Sequence, residues 1–422
     1  MKAFCSKSHP VLYPFGDRIS DIEIGNQPLN EIQREILLQC GFEVVDEAPV
    51  GEGFLWVQSN VWFTAELLQK MKSSLPLESS RLRCLDEVWN RYMTSIVSEK
   101  QGYVGLAWIV GSLPDDLSSL PDWILDWELR EQEALEMHPS MQHAVHPMKG
   151  GACMALDIWH WYDVLRVNQL ALLYRAESIR SKWEKGSIWK RLLLVMGFLF
   201  KVHSINPQKI ARRIGSQGRN CKIHPTAVIE ACEIGDNVEI GPFAVLRASI
   251  LGNGCKIEEH ATVNLSVIGR KARVARYAMI NLSVLMEEAF VSRGGGFQMS
   301  LFGRQSFVAV DAVMLDLSFG KSIHVQHRAQ ISSSTNPEAQ SSENMGSENM
   351  GSEIIWIDSQ QFFMGVCVGH RAAIGNAVRL NYGVTVPNDA LLVANADHLI
   401  KDASLAPPSH PSRAKDKKAV PI

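Results

Sequence analysis

From Ile223 to Leu285 the large aliphatic positions return in steps of six, five and six residues: Ile223, Ile229, Ile234, Ile240, Leu246, Leu251, Ile257, Val263, Ile268, Val274, Ile280, Leu285. Neither the alternation of a half-buried strand nor the 3.6-residue period of a helix fits this rhythm. It continues through Val291, Phe297, Phe302, Val308, Met314, Phe319, Val325 and Ile331. Three columns result, headed by Ile223, Ile229 and Ile234. Four residues after the large residue of each six-residue step stands a mostly small one (Ala227, Ala244, Cys255, Ala261, Ala278, Ala289), with Ile323 as the exception. Gly often follows the large residue directly, as at Gly235, Gly241, Gly252 and Gly269. Self-similarity of this kind predicts a solenoid. Each coil is a triangle of three short strands, one inward aliphatic per side, with small residues at the corners.

The pattern breaks in the polar stretch after Ile331, which repeats SENMG at 342–346 and 347–351 and predicts a flexible loop over about 333–354. Ile357, Phe363, Val368, Ile374 and Leu380 then resume the ladder. The overlong step from Leu380 to Val386, beside Pro387, predicts the end of the prism. Residues 401–422 predict a flexible basic tail. At the other end, "MKAFC" predicts a strand. Leu29, Ile32, Ile36 and Leu37 share a helical face, Gly41 stops that helix, and "FEVV" predicts a second strand, which makes a βαβ start. The expected organisation is an α/β domain over 1–155, a helical connector over 156–220, a β-helix over 221–400 and the tail.

The 17-residue rhythm resembles the hexapeptide-repeat family of left-handed parallel β-helices, and the left hand is what that resemblance implies. The N-terminal segment resembles sugar-phosphate nucleotidyltransferases through Met1–Phe4, Pro14–Asp17, the G-N-x-P-L turn at Gly25–Leu29, Cys40–Val44 and the strand region Phe54–Leu68. The departures are specific. "SKSHPVLY" stands where the family has a Gly-rich phosphate loop, the lysine of the next motif is missing, and Asn60 occupies the metal-binding aspartate's place. These losses imply a catalytically dead N-terminal domain. The combination resembles a shortened variant of the bifunctional N-acetylglucosamine-1-phosphate uridyltransferase/glucosamine-1-phosphate acetyltransferase.

Composition alters this little. The chain has 422 residues, is 46% hydrophobic and carries a net charge of −3, so no global field points to nucleic acid. Its eight cysteines form no CxxC, which suits reduced thiols and a cytoplasmic setting, and no signal peptide is expected. Between Arg180 and Arg213 nine Lys or Arg face one Glu, among Trp183, Trp189 and an apolar run too short to span a bilayer. A packed connector is favoured there over a helix lying on an acidic membrane.

For chemistry, the hexapeptide resemblance implies a homotrimer, an acyl-CoA (acetyl-CoA) co-substrate, no metal, and a His general base in a groove between prisms. His260 sits at a mid-prism corner between Phe243 and Tyr277 in the coil register, beside Glu259 and, one coil on, Arg276. His327 is placed four coils on, about 20 Å away, so His260 and His327 are alternatives to each other as the base; His370 is a further candidate. Each has a plainer reading as a solvated corner residue. Asn264 and Asn281, from two "NLS" triplets one coil apart, form a column that is either a structural ladder or a sugar-binding strip. His138, His143 and His146 lack an acidic or Cys partner at ligand spacing. Two functions stay open: an acyl- or acetyltransferase acting on a sugar or sugar nucleotide or similar polar acceptor, and a non-catalytic scaffold or regulatory pseudoenzyme. Residual sugar-phosphate nucleotidyltransferase activity is disfavoured by the missing loop and by Asn60.

Overall fold

A computed structural model describes residues 1–8, 10–86, 89–90, 93–98, 102–125, 151–185, 215–328, 354–394, 399–400 and 420–421. The histidines at 138, 143, 146 and 398, most of the inserted loop at 333–354 and the basic connector beyond 185 lie outside these residues.

The N-terminal sheet follows its hydrophobic runs. Lys2–Cys5 pairs in parallel with Glu43–Val45 on one side and with Glu52–Val57 on the other. Tyr103–Gly111 and Ser80–Arg83 extend the sheet antiparallel, and Asp122–Ile124 closes it. Helix α1 (Leu29–Gln39) buries Leu29, Gln33 and Leu37 on one face. It ends where Gly41 takes φ +77, with the Gly41 and Phe42 N–H groups bonding back to Leu38 and Leu37. Helix α2 (Ala65–Ser73) follows the strand Val61–Phe63, which pairs with Ala155–Asp157.

The second body is a triangular parallel β-helix, so the fold class is the expected one. The columns headed by Ile223, Ile229 and Ile234 define the first, second and third faces. On the first, Ile223, Ile240, Ile257, Val274, Val291 and Val308 stack in register. Inward residues and the small corner column are buried. Gly252 shows why the corners need glycine: a Cβ there would lie 2.7 Å from the Arg270 backbone nitrogen of the next coil.

The structure corrects the sequence reading at the C-terminal end of the prism. Phe302 pairs with Val368, Val308 with Ile374 and Met314 with Leu380. The chain therefore leaves the prism after Leu315 and returns at Gly365, a longer excursion than a loop at 333–354. Phe319, Val325, Ile357 and Phe363 do not belong to the columns. His324–Arg328 and Ile354–Asp358 form an antiparallel hairpin instead. Its Ile323 and Val325 are fully buried, but in a core shared with the N-terminal domain, so apolar spacing there imitates the ladder. Ile323, too large for a tight corner, marks the departure. The prism also continues past Leu380. Thr385–Val386 pairs with Cys367–Val368, and Leu391–Val393 with Ala373–Ile374. Gly383, at φ +72 with its N–H on the Gly365 carbonyl, takes up the extra residue. Leu399–Ile400 adds another strand, and Val420–Pro421, inside the expected tail, pairs with Leu392–Val393.

Helix α3 (Trp161–Lys185) joins the two bodies. It lies on the third face of the prism, where Ile250, Val267, Val284, Leu301 and Cys367 share one core with Val164, Leu165 and Leu170. Trp161 Nε1 donates to Thr385 Oγ1 at 3.0 Å, Gln169 to the Leu282 carbonyl at 2.9 Å, and Arg175 pairs with Glu233 at 2.9 Å. The helix thus runs from the last coils back to the first.

Candidate functional site

The corner between the first and second faces brings several expected residues together. Corner residues here take positive φ: Phe243 at 58°, His260 at 59° and Tyr277 at 62°. Non-glycine residues reach that region at a cost, and each side chain is thrown outward at the same angle. The three rings stack, with centroids 5.1 Å apart from Phe243 to His260 and 4.9 Å from His260 to Tyr277. These spacings match the strand separation of about 4.8 Å, so the coil itself sets the stack. Phe243 and Tyr277 remain 55% and 62% exposed. No hydrogen bond to either ring nitrogen of His260 occurs among the described residues.

Beside the stack, Arg276 Nε reaches Glu259 at 3.1 Å and Glu258 at 3.7 Å. Glu258 is the residue that spacing alone did not reveal. It is buried, accepts a bond from Arg273 Nε at 2.7 Å and takes the Arg276 N–H at 3.2 Å. Burial pushes the Glu258 carboxyl up, but Arg273 and Arg276 outweigh it and hold the group below its ordinary value. Arg273 also lies over Phe290, 4.9 Å from the ring centroid. The result is an exposed aromatic edge bordered by guanidinium groups that a buried carboxylate fixes in place.

His327 belongs elsewhere. It sits on the hairpin, its ring 6.2 Å from that of His160, and burial lowers its pKa. It is therefore not a prism corner, and the coil arithmetic that separated it from His260 does not apply. His370 is a domain tie. Its Nδ1 accepts the Arg304 N–H at 2.8 Å, which leaves Nε2–H to donate to Asp17 at 2.9 Å. Arg304 also bonds Asp17, and the Phe15 ring lies 4.7 Å from the imidazole.

Asn264 and Asn281 pair in register between Arg247 and Gln298 on the second face. They stand at the far end of that face's strands, roughly 13 Å of chain from the aromatic corner. The more definite ladder in "NLS" is its serine. Ser266 Oγ donates to the Asn264 carbonyl at 2.6 Å and accepts the Ser283 N–H at 3.1 Å. Ser249, Ser283 and Ser300 repeat the motif on neighbouring coils. The recurrence of Ser every 17 residues was the available signal.

In the N-terminal domain, Asn60 is fully buried and its Nδ2 donates to the Ile158 carbonyl at 2.9 Å. Its Oδ1, the atom that would ligate a cation, is buried with no hydrogen-bond partner, but a neutral amide oxygen is a poor Mg²⁺ ligand. Among the described residues no group of three His, Cys, Asp or Glu could hold a metal, and no helix is long and apolar enough to cross a membrane.

Residues 217–295, the first coils of the prism and all of the aromatic corner, match the family model described as GMPPB C-terminal domain. A comparison with curated proteins finds no match. Among solved structures, the UDP-N-acetylglucosamine acyltransferase of Francisella novicida is 11% identical, with 46% of this chain and 66% of that one covered and a TM-score of 0.17. The polysialic acid O-acetyltransferase is 12% identical, with 44% and 77% covered and a TM-score of 0.14.

Proposed function

We propose that this chain is an acyl- or acetyltransferase that works at the aromatic corner of its β-helix, on a sugar nucleotide or similar polar acceptor, with acyl-CoA as donor. The observation that carries the reading is His260, an exposed imidazole with both ring nitrogens unengaged among the described residues and cationic Arg273 and Arg276 alongside. In this reading the imidazole takes the proton of the acceptor hydroxyl or amine. The acceptor atom attacks the thioester carbonyl, the C–S bond breaks, and the thiolate leaves as CoA with the proton returned from His260. The guanidinium groups bind phosphates of either substrate. The neighbouring copy of a homotrimer would complete the groove. The N-terminal domain performs no nucleotidyl transfer in this scheme, in keeping with the enclosed Asn60.

One observation favours the scaffold reading. Among the described residues no carboxylate orients His260, and its two faces are occupied by Phe243 and Tyr277, an arrangement that also serves corner packing alone.

Calorimetric titration with acetyl-CoA and with CoA, on the wild type and on His260→Ala, separates the two. The transferase reading expects binding in the micromolar range and, once an acceptor is found, turnover lost by about 10²–10⁴-fold in the variant. Absence of binding at millimolar CoA would leave the scaffold.

A further inference from the structure

The aromatic ladder stops one ring short. After Phe243, His260 and Tyr277, the next corner position in register is Gly294, at φ +75, with nothing within 4 Å of where a Cβ would be. The following corner residue is Asp311, at φ +61 and exposed. Gly296, the next outward position on the second face, is exposed and has only the Met279 side-chain end near it, 3.6 Å from where a Cβ would be. The outer face of Tyr277 therefore looks onto an open step, two coils or about 10 Å deep, between its ring and Asp311. Two guanidinium groups flank this step. Arg276 and Arg293 occupy the position just before the corner on successive coils. Arg276 is held by Glu258 and Glu259, whereas no ion pair joins exposed Arg293 among the described residues.

We propose that this step is a nucleotide-binding slot. The base stacks on Tyr277 at the level of Gly294, continuing the ladder by one ring, and the phosphates lie against Arg293 and Arg276. Stacking on an exposed aromatic face tolerates any base, and the guanidinium pair supplies charge for the phosphates. A fourth side chain in the stack would close the slot, which gives the glycine its function. The proposal rests on the transferase reading only in treating this corner as the ligand edge. It holds equally for the nucleotide part of a sugar nucleotide and for that of CoA.

The full-length protein is titrated with uridine diphosphate and adenosine diphosphate, with inorganic pyrophosphate as the ringless control. At least one nucleotide is expected to bind with Kd below about 1 mM, and pyrophosphate at least about tenfold more weakly. Tyr277→Ala is expected to weaken the nucleotide about tenfold. Gly294→Tyr is expected to abolish binding while the protein still folds, with a melting temperature lowered by the strain of a side chain at φ +75; Phe243 and Tyr277 show that the corner accepts aromatic residues at φ 58 and 62. Should Gly294→Tyr fail to fold, Tyr277→Leu, which keeps bulk and loses the π face, takes its place. Equal binding of pyrophosphate and nucleotide, undiminished binding in the ladder variants, or no nucleotide binding below about 1 mM would each overturn the slot. Acyl transfer from acyl-CoA that is undiminished in both Tyr277→Ala and Gly294→Tyr would sink the slot and leave the transferase. Nucleotide binding lost in Gly294→Tyr, with no acyl transfer by the wild type, would do the reverse.

Discussion

Single residues show how burial sets chemistry in this chain. Asn60 is fully buried, and its amide nitrogen serves the Ile158 carbonyl. Asn60→Asp would place an unpaired carboxylate at a fully buried position. The expected result is a loss of about 2–3 kcal/mol or more in urea denaturation and no Mg²⁺-dependent nucleotidyl transfer; a gain of that activity would contradict the dead-domain reading. Two other groups respond to pH in opposite senses. His160 donates Nε2–H to the Gln326 carbonyl and is held neutral by burial, its pKa lowered to about 3. Its contribution is present above the unfolded value of about 6.5 and is lost as pH falls from there to about 3. Asp157, on Gly105 N–H, is raised by burial to about 6. Its ionisation costs stability above that pH, and the cost is relieved as pH falls toward about 4. Asp157→Asn is therefore expected to stabilise the protein by about 2 kcal/mol at pH 8, to leave stability near pH 4 unchanged and so to steepen the acid limb between them. Melting temperature against pH measures this, and an equal shift at both ends would refute it.

At the scale of elements, the buried serine ladder is where the corner between the second and third faces is secured. Ser266→Ala would leave the Ser283 N–H without its acceptor inside the prism. A cost of about 1–3 kcal/mol is expected. Chevron or equilibrium urea data decide it, and a loss within about 0.5 kcal/mol would mean the ladder is idle. The ladder also shows what a sequence makes visible. Inward aliphatics repeat because each touches its own equivalent, so Ile240, Ile257 and Val274 announce the prism unaided. Helix α1 was equally plain, with its apolar face and Gly41 stop. Val325 and Ile357 misled because burial in a hairpin against another domain leaves the same apolar mark as burial in a coil. The six-residue step into Val386 misled because Gly383 absorbs a residue without ending the stack. At the site, His260, Glu259 and Arg276 were reachable by coil arithmetic. Glu258 was not, since nothing local says that a carboxylate at the corner is enclosed by Arg273 and Arg276.

For the whole molecule, the decisive feature is a core with two owners. Leu301 and Cys367 of the prism and Val164 and Leu165 of α3 are fully buried together, and each aliphatic side chain so covered is worth about 1.5–3 kcal/mol. The full chain is expected to unfold in one transition, with tryptophan fluorescence and far-ultraviolet dichroism coinciding. A prism cut at residue 215 is expected to bind a hydrophobic dye through its uncovered third face. Two well-separated transitions in the intact chain would refute the shared core.

That covered face also bears on how copies can meet. A triangle whose one side is taken by its own helix has two sides left, and a single edge where they join. Copies arranged by rotation about an axis parallel to their prisms would present that edge inward or along the seam between neighbours, while the N-terminal domains form the outer rim. The edge in question bears Phe243, His260 and Tyr277. In such an assembly self-association and ligand entry would meet on the same line of rings, and protein concentration itself would be a variable of binding.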